Sequence, residues 1–551
     1  PGPSARGARA RRRAGSPARR GARSALACLA ALVCLAALAA GCTASVGGSG
    51  QLADPAGTSP NPSPTITDPS GSPSAAVPAN LAPFYSQTLD WTGCGGTASC
   101  AQLEVPIDYD HPDAGTIQLA VKGYPPAGSS KGLGSLVMNP GGPGASGIDF
   151  VDSADQLLRG GRMGDVRRNY QLVGFDPRGV GQSAPLKCLD DAALDTLLAF
   201  NPTPTSPADI DQAKQLNIDQ GQACTANSGP LAAHVTTVEA AKDMDVLRAA
   251  LGETKLNYLG FSYGTFLGST YAALFPANVG RMVLDGAVDP AQSAAQSGEG
   301  QAKGFQVAFD AWAADCLTRG KSCGLGNSVE ELRAAVRSLL DRLGSAPLPT
   351  ADPGRPLTES LGMNGVAMAL YLKDAWPTLR AALQSAILDG DGTRLLALSD
   401  VYTDRNPDGT YATNSMQAFM AISCLDAVAN PNKTDPPQSQ YQADSPTFGD
   451  MFYDGGLDCA TYWPATPSVN WPDYSAPGTP PIVVVGTSRD PATPYENSVN
   501  LARQLSSGVL LSRDGDGHTA YLGSSTCIND TVSAFLVDGT VPADGTNCGT
   551  R

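Results

Sequence analysis

The chain has 551 residues, 42% hydrophobic and 16% charged, which excludes global disorder and gives length for two or three domains. Its 37 Lys and Arg against 52 Asp and Glu set a formal charge of −15. Eight of those cations, Arg6, Arg9, Arg11, Arg12, Arg13, Arg19, Arg20 and Arg23, fall in residues 1–42, which hold no acid; the remaining 29 face all 52 acids, a surface that repels phosphate backbones and argues against nucleic acid as a partner.

The basic stretch Arg6–Arg23 runs into the apolar segment Ala25–Ala40, 16 residues long and short for a spanning helix. A basic start, an apolar middle and small residues at the end describe an export signal over 1–42. Its end, Leu38-Ala39-Ala40-Gly41-Cys42, resembles a bacterial lipobox, with Ala39 where an aliphatic residue usually stands. Cys42 is therefore the expected lipidation site, and the protein is expected to be exported, as a cell-surface lipoprotein or a secreted form. Residues 43–80 are rich in Ser, Pro, Thr and Gly and read as an extended tether. Ten cysteines remain beyond the signal, an even number that in an exported chain reads as disulfides. Sequential pairing would join 94–100, 188–224, 316–323, 424–459 and 527–548, although spacing alone does not fix connectivity.

From residue 81 the pattern becomes globular. Ile117–Val121, Gly134–Met138 and Tyr170–Phe175 read as strands, Val238–Leu251 as an amphipathic helix, Lys255–Leu259 as a strand, Gly264–Phe275 as a helix and Val279–Leu284 as a strand. That alternation predicts an α/β fold with a mostly parallel sheet flanked by helices. Over 291–470 helical patterns dominate: Phe305–Leu317, Val329–Leu343, Gly365–Tyr371, Trp376–Ile387 and Met416–Val428. Strand Pro481–Val485, helix 495–505 and strand Gly508–Leu511 follow. The expected organisation is an α/β core over 81–290 and 471–551, split by a helical cap over 291–470.

The strongest chemical signal is Gly260-Phe261-Ser262-Tyr263-Gly264, a G-x-S-x-G between a predicted strand and a predicted helix. The turn exposes the Ser262 hydroxyl, and side chains at the flanking glycines would clash. A serine needs a base, and the chain has three histidines. His111 and His234 precede Ser262, whereas this arrangement orders nucleophile, acid, base. His518 remains, in a Gly-rich loop after the last core strand. The orienting acid should follow the preceding strand, which selects Asp490, with Asp285 and Asp289 as fallback; Asp514 and Asp516 lie too close to His518 along the chain. Two backbone amides must hold the oxyanion: that of Tyr263, and one from Asn139-Pro140-Gly141-Gly142-Pro143-Gly144, where Gly141 and Gly142 are candidates because proline donates nothing. The same loop matches a dinucleotide fingerprint, Gly142-x-Gly144-x-x-Gly147 with Asp176 after the next strand, but two prolines stiffen it. No cofactor or metal is expected.

Six motifs occur in order: Asn139–Gly144, Gly174-Phe-Asp-Pro-Arg-Gly179, Gly260–Thr265, Arg281-Met-Val-Leu-Asp-Gly286, Asp490-Pro-Ala-Thr-Pro494 and Gly517-His518. Over roughly 85–551 they resemble the exported tripeptidyl aminopeptidases of high-GC Gram-positive bacteria, α/β-hydrolases related to proline iminopeptidases. The resemblance implies a serine exopeptidase releasing short peptides, often tripeptides, from substrates with a free N-terminus, with nucleophile, acid and base at Ser262, Asp490 and His518. The cap would then close over Ser262, and an acid in it would pair with the substrate ammonium; Asp426 is the candidate, ahead of Glu299 and Glu359. Thr493 is expected near the site, and Asp176 and Arg178 as braces of core loops. The competing readings are a carboxylesterase or lipase with the same residues, and an inactive tethered binding protein.

Overall fold

The computed structural model describes residues 2, 77–128, 132–201, 203, 206–427, 435–453, 463 and 470–549. The expected export signal with Cys42, nearly all of the 43–80 tether, and Cys459 lie outside them.

Among the described residues ten strands form one sheet in the order β1-β2-β3-β5-β4-β6-β7-β8-β9-β10. They are β1 (Thr92–Gly95), β2 (Ala98–Pro106), β3 (Thr116–Tyr124), β4 (Ser135–Asn139), β5 (Gln171–Phe175), β6 (Leu256–Phe261), β7 (Val279–Asp285), β8 (Ile482–Arg489), β9 (Gly508–Asp516) and β10 (Thr546–Asn547). β1, β2 and β3 make an antiparallel edge, and β3 meets β5 antiparallel; from β5 to β10 every pairing is parallel. The central strands are buried on both faces, which is why they read as unbroken apolar runs. Alternate residues serve two cores: Val137, Leu284 and Val484 pack on one face, Met138, Val283 and Val485 on the other. This is the α/β-hydrolase architecture the sequence leads one to expect.

β4, β6, β8 and β9 run parallel, so the loops leaving them open on one edge of the sheet. Those loops carry Gly141 and Gly142, Ser262, Asp490 and His518.

Between β7 and β8 the described residues hold helices and two isolated bridges, Leu348 with Leu357 and Arg405 with Tyr411, but no strand of the sheet. Helix Ala294–Thr318 opens this stretch with a capping box in which Ser293 and Gln296 satisfy each other's amides. With helices Val329–Ser345, Glu359–Leu370 and Trp376–Gln384 it encloses a core of its own around Phe309, Trp312, Leu340 and Leu379. Helix Ser415–Asp426 differs: Ala418, Ala421, Ile422 and Leu425 pack into the core of the sheet. Among the described residues, disulfides join Cys94–Cys100, Cys188–Cys224, Cys316–Cys323 and Cys527–Cys548. The 424–459 pairing falls on a residue outside the described ones. No described helix is long and apolar enough to cross a membrane.

Candidate active site

Ser262 sits at the junction of β6 and helix Tyr263–Leu274 with φ 55°, ψ −126°, a conformation that non-glycine residues rarely adopt. The surrounding structure enforces it. The Ser262 amide donates to the Asp285 carbonyl at 2.9 Å, and the Thr265 hydroxyl donates to the Ser262 carbonyl at 2.6 Å. The flanking glycines are required by space: a Cβ on Gly260 would overlap the Gly264 carbonyl and lie 2.6 Å from the Tyr258 ring, and one on Gly264 would lie 2.8 Å from the Asn139 carbonyl oxygen.

His518 is held from both sides. Its Nδ1–H donates to Asp490 Oδ1 at 2.8 Å, with Oδ2 at 3.0 Å. Its backbone amide donates to the Tyr371 carbonyl at 2.9 Å, and the two rings meet edge to face with centroids 5.2 Å apart. Thr493 Oγ1 lies 3.3 Å from the same Nδ1. The sequence Asp490-Pro-Ala-Thr builds its own turn, because Asp490 Oδ1 accepts the amides of Ala492 and Thr493 while Oδ2 accepts that of Thr519. Burial pulls the His518 pKa down, but the Asp490 charge and hydrogen bond outweigh it and leave it above the ordinary imidazole value. His518 Nε2 is buried and has no partner among the described residues.

The fallback acids have other work. Asp285 accepts the amides of Ala520 and Tyr521, so it carries the backbone just after His518; burial raises its pKa to about 7. Asp289 binds the side-chain amides of Asn500 and Gln504. Asp514 and Asp516 pair with Arg489. His111 and His234 are paired elsewhere, with Asp108 and Glu239. Arg178 donates to Asp243 and to three carbonyls, and Asp176 accepts Ser146 Oγ and the amides of Ile148 and Gln182: both brace loops, as expected.

The two oxyanion candidates separate. The Gly141 amide is used internally, donating to Asn139 Oδ1 at 2.9 Å. Gly142 lines the cavity and Gly141 does not. Gly141 instead provides clearance: at φ +100° its missing Cβ would sit 2.5 Å from the Phe261 carbonyl and 2.9 Å from Ser262 Cβ. Tyr263 opens its helix, so its amide belongs to the first turn, which has no acceptor within the helix.

Ser262, Tyr263, Gly142, Thr493 and His518 face one cavity of about 960 Å³. Its walls are largely apolar, with Phe150, Phe305, Met363, Met368, Tyr371 and Met416 among them. Asp426 does not line it, which corrects the expected assignment. Helix Ser415–Asp426 turns its apolar stripe toward the sheet, and the carboxylate takes the amide of Thr237 at 3.0 Å together with the Thr237 hydroxyl. Burial holds the Asp426 pKa up at about 7. Glu299 and Glu359 are also absent from the wall: Glu299 shares a hydrogen bond with Asp444, and Glu359 accepts the Thr203 hydroxyl. Sequence reasoning overlooked Tyr371 and Asp404, both in the wall; neither stands in a motif, and only the folded cap brings them there.

A sheet of this order with a serine on a strained strand-to-helix turn at its C-terminal edge defines an α/β-hydrolase. The profile of the family described as "TAP-like protein" matches residues 445–548. Over 488 residues the chain is 40% identical to "Serine protease Hip1" of Mycobacterium tuberculosis, covering 85% of this chain and 92% of the relative. It is 36% identical over 486 residues to "Carboxylesterase B" of the same species, covering 85% and 91%, and 32% identical over 475 residues to "Tripeptidyl aminopeptidase" of Streptomyces lividans, covering 84% and 86%. The chain belongs to the TAP-like α/β-hydrolase serine peptidases.

Proposed function

We propose that this serine peptidase is an exopeptidase that releases short peptides, in the main tripeptides, from substrates with a free N-terminus, using Ser262, His518 and Asp490. The observation that carries the reading is the buried, unpartnered Nε2 of a histidine fixed by Asp490 at 2.8 Å, in the cavity that Ser262 also lines. His518 Nε2 takes the Ser262 proton as Oγ attacks the scissile carbonyl. Asp490 keeps the proton on Nδ1 and stabilises the imidazolium. The amides of Tyr263 and Gly142 hold the oxyanion. His518 then protonates the leaving amine, and water, activated by the same base, releases the acyl peptide. The chemistry requires no cofactor or metal. Export, with attachment to a membrane through a lipidated Cys42, belongs to the same reading and is supported by the basic-apolar-small pattern of residues 1–42.

The carboxylesterase reading uses the same residues and is favoured by the apolar cavity wall and by one relative's name. The two separate by experiment. A fluorophosphonate should label Ser262, as read by mass spectrometry, and fail on Ser262→Ala. Incubation with an unblocked decapeptide should give tripeptides from its N-terminus. Labelling with no peptide release would leave the esterase reading in place.

A further inference from the structure

Four carboxylates stand in the described wall of the cavity: Asp149, Asp374, Asp404 and Asp516. Asp516 is neutralised by Arg489 and Lys373. Asp149 belongs to the first turn of helix Gly147–Leu157, where it serves the helix dipole. Asp374 is exposed and follows Lys373 in the chain. Asp404 is different. It is half-buried, and no cation pairs with it among the described residues. Its neighbours' charges are committed elsewhere, Arg355 to Asp400 and Arg405 to Asp195.

The position of Asp404 is tightly determined. It takes φ 58°, a left-handed conformation that aspartate tolerates better than most side chains. Its carbonyl accepts the Ala412 amide at 2.8 Å, closing a turn. Its Oδ2 accepts two hydroxyls, Thr413 Oγ1 at 2.7 Å and Ser415 Oγ at 3.0 Å, and both residues also line the cavity. No described residue donates to Oδ1. Its partner Ser415 also packs against the loop that carries Gly142. The Ser415 carbonyl packs on Gly144, where a Cβ would fall 2.5 Å from it, and Gly144 is two residues from Gly142.

We infer that Asp404 receives the α-ammonium group of the substrate. A pre-oriented carboxylate with one oxygen fixed and one open, paired with neither cation of the wall, since Lys373 holds Asp516 and Arg513 donates to the Thr519 carbonyl, suits a primary ammonium and disfavours a neutral amide in its place. The inference rests on the aminopeptidase reading and deepens it.

Asp404→Asn is the informative variant, because the amide oxygen still accepts both hydroxyls while the charge is lost. KM for Ala-Pro-Ala-p-nitroanilide should rise tenfold or more, with kcat within about threefold. Turnover of the N-acetylated peptide anilide and of p-nitrophenyl butyrate, neither of which carries an ammonium, should stay within about twofold of the wild-type rates. An unchanged KM for the free peptide would overturn the inference and leave the aminopeptidase reading standing. Equal losses on all three substrates would overturn it too, by making Asp404 a support of the cap. Wild-type enzyme that does not distinguish free from acetylated peptide would refute the aminopeptidase reading itself, a result visible without the variant.

Discussion

The hydroxyls of Thr237 and Tyr263 lie 2.5 Å apart and tie the helix Thr237–Ala250 to the turn that carries Ser262. Thr237 in turn donates to Asp426, so one chain of hydrogen bonds links helix Ser415–Asp426 to the residue after the proposed nucleophile. Thr237→Val should leave the Tyr263 phenol and the Asp426 carboxylate without that partner. The expected destabilisation is about 1–3 kcal/mol, read as a lower melting temperature, together with a reduced kcat because the Tyr263 amide is held less firmly. Asp426→Asn should not change the preference for free over acetylated peptides. A changed preference would return Asp426 to the substrate site.

The pH dependence follows from His518. The proposed base must be neutral to accept the Ser262 proton, and its pKa is raised. Activity should therefore be lost as pH falls through a value above the ordinary imidazole 6.5. The charge of Asp285 contributes to that rise. Asp285→Asn should move the acid limb of kcat/KM to lower pH, while its amide oxygen still accepts the backbone of the His518 loop. An acid limb that stays in place in this variant would remove Asp285 from the electrostatics of the site.

Three glycines should resist substitution for steric reasons. Gly260→Ala and Gly264→Ala press a methyl group into backbone oxygens and should destabilise the fold by about 2–5 kcal/mol or prevent it from forming. Gly141→Ala adds the strain of φ +100° and a contact with Ser262 itself, so kcat should fall beyond what the loss of stability explains. Urea unfolding alongside steady-state kinetics on soluble variants separates the two effects.

The Cys188–Cys224 bond closes a 36-residue separation, and the chain entropy it removes from the unfolded state corresponds to roughly 3–4 kcal/mol. Reduction by dithiothreitol, or Cys188→Ser with Cys224→Ser, should lower the melting temperature while Ser262 remains reactive to fluorophosphonate below it. No change on reduction would mean that the bond does not constrain the unfolded chain.

Much of this was legible in the sequence, for identifiable reasons. The central parallel strands are buried on both faces and so appear as apolar runs ended by glycines, which locates the turns that bear Ser262, Asp490 and His518. β2 escaped because only alternate residues such as Leu103 and Val105 are fully buried, with Gln102 and Glu104 exposed between them. Helix Pro207–Ser228 escaped because its buried positions are Ala213, Gln220, Gly221 and Cys224, which make no apolar stripe. The expectation that Asp426 faces the cavity missed for a related reason. Asp426 stands beside buried residues, but periodicity does not say which core a helix faces, and this one faces the sheet. Asp404 lies in a turn with no periodic signal at all.

The most direct test compares Ala-Pro-Ala-p-nitroanilide with its N-acetylated form on wild-type enzyme, with Ser262→Ala as control. Cleavage of the free peptide, loss of most of that rate on acetylation and no turnover by Ser262→Ala are the predicted results. Equal cleavage of both peptides, or release of p-nitrophenol from butyrate with no amide cleavage, would contradict an exopeptidase that reads a free N-terminus.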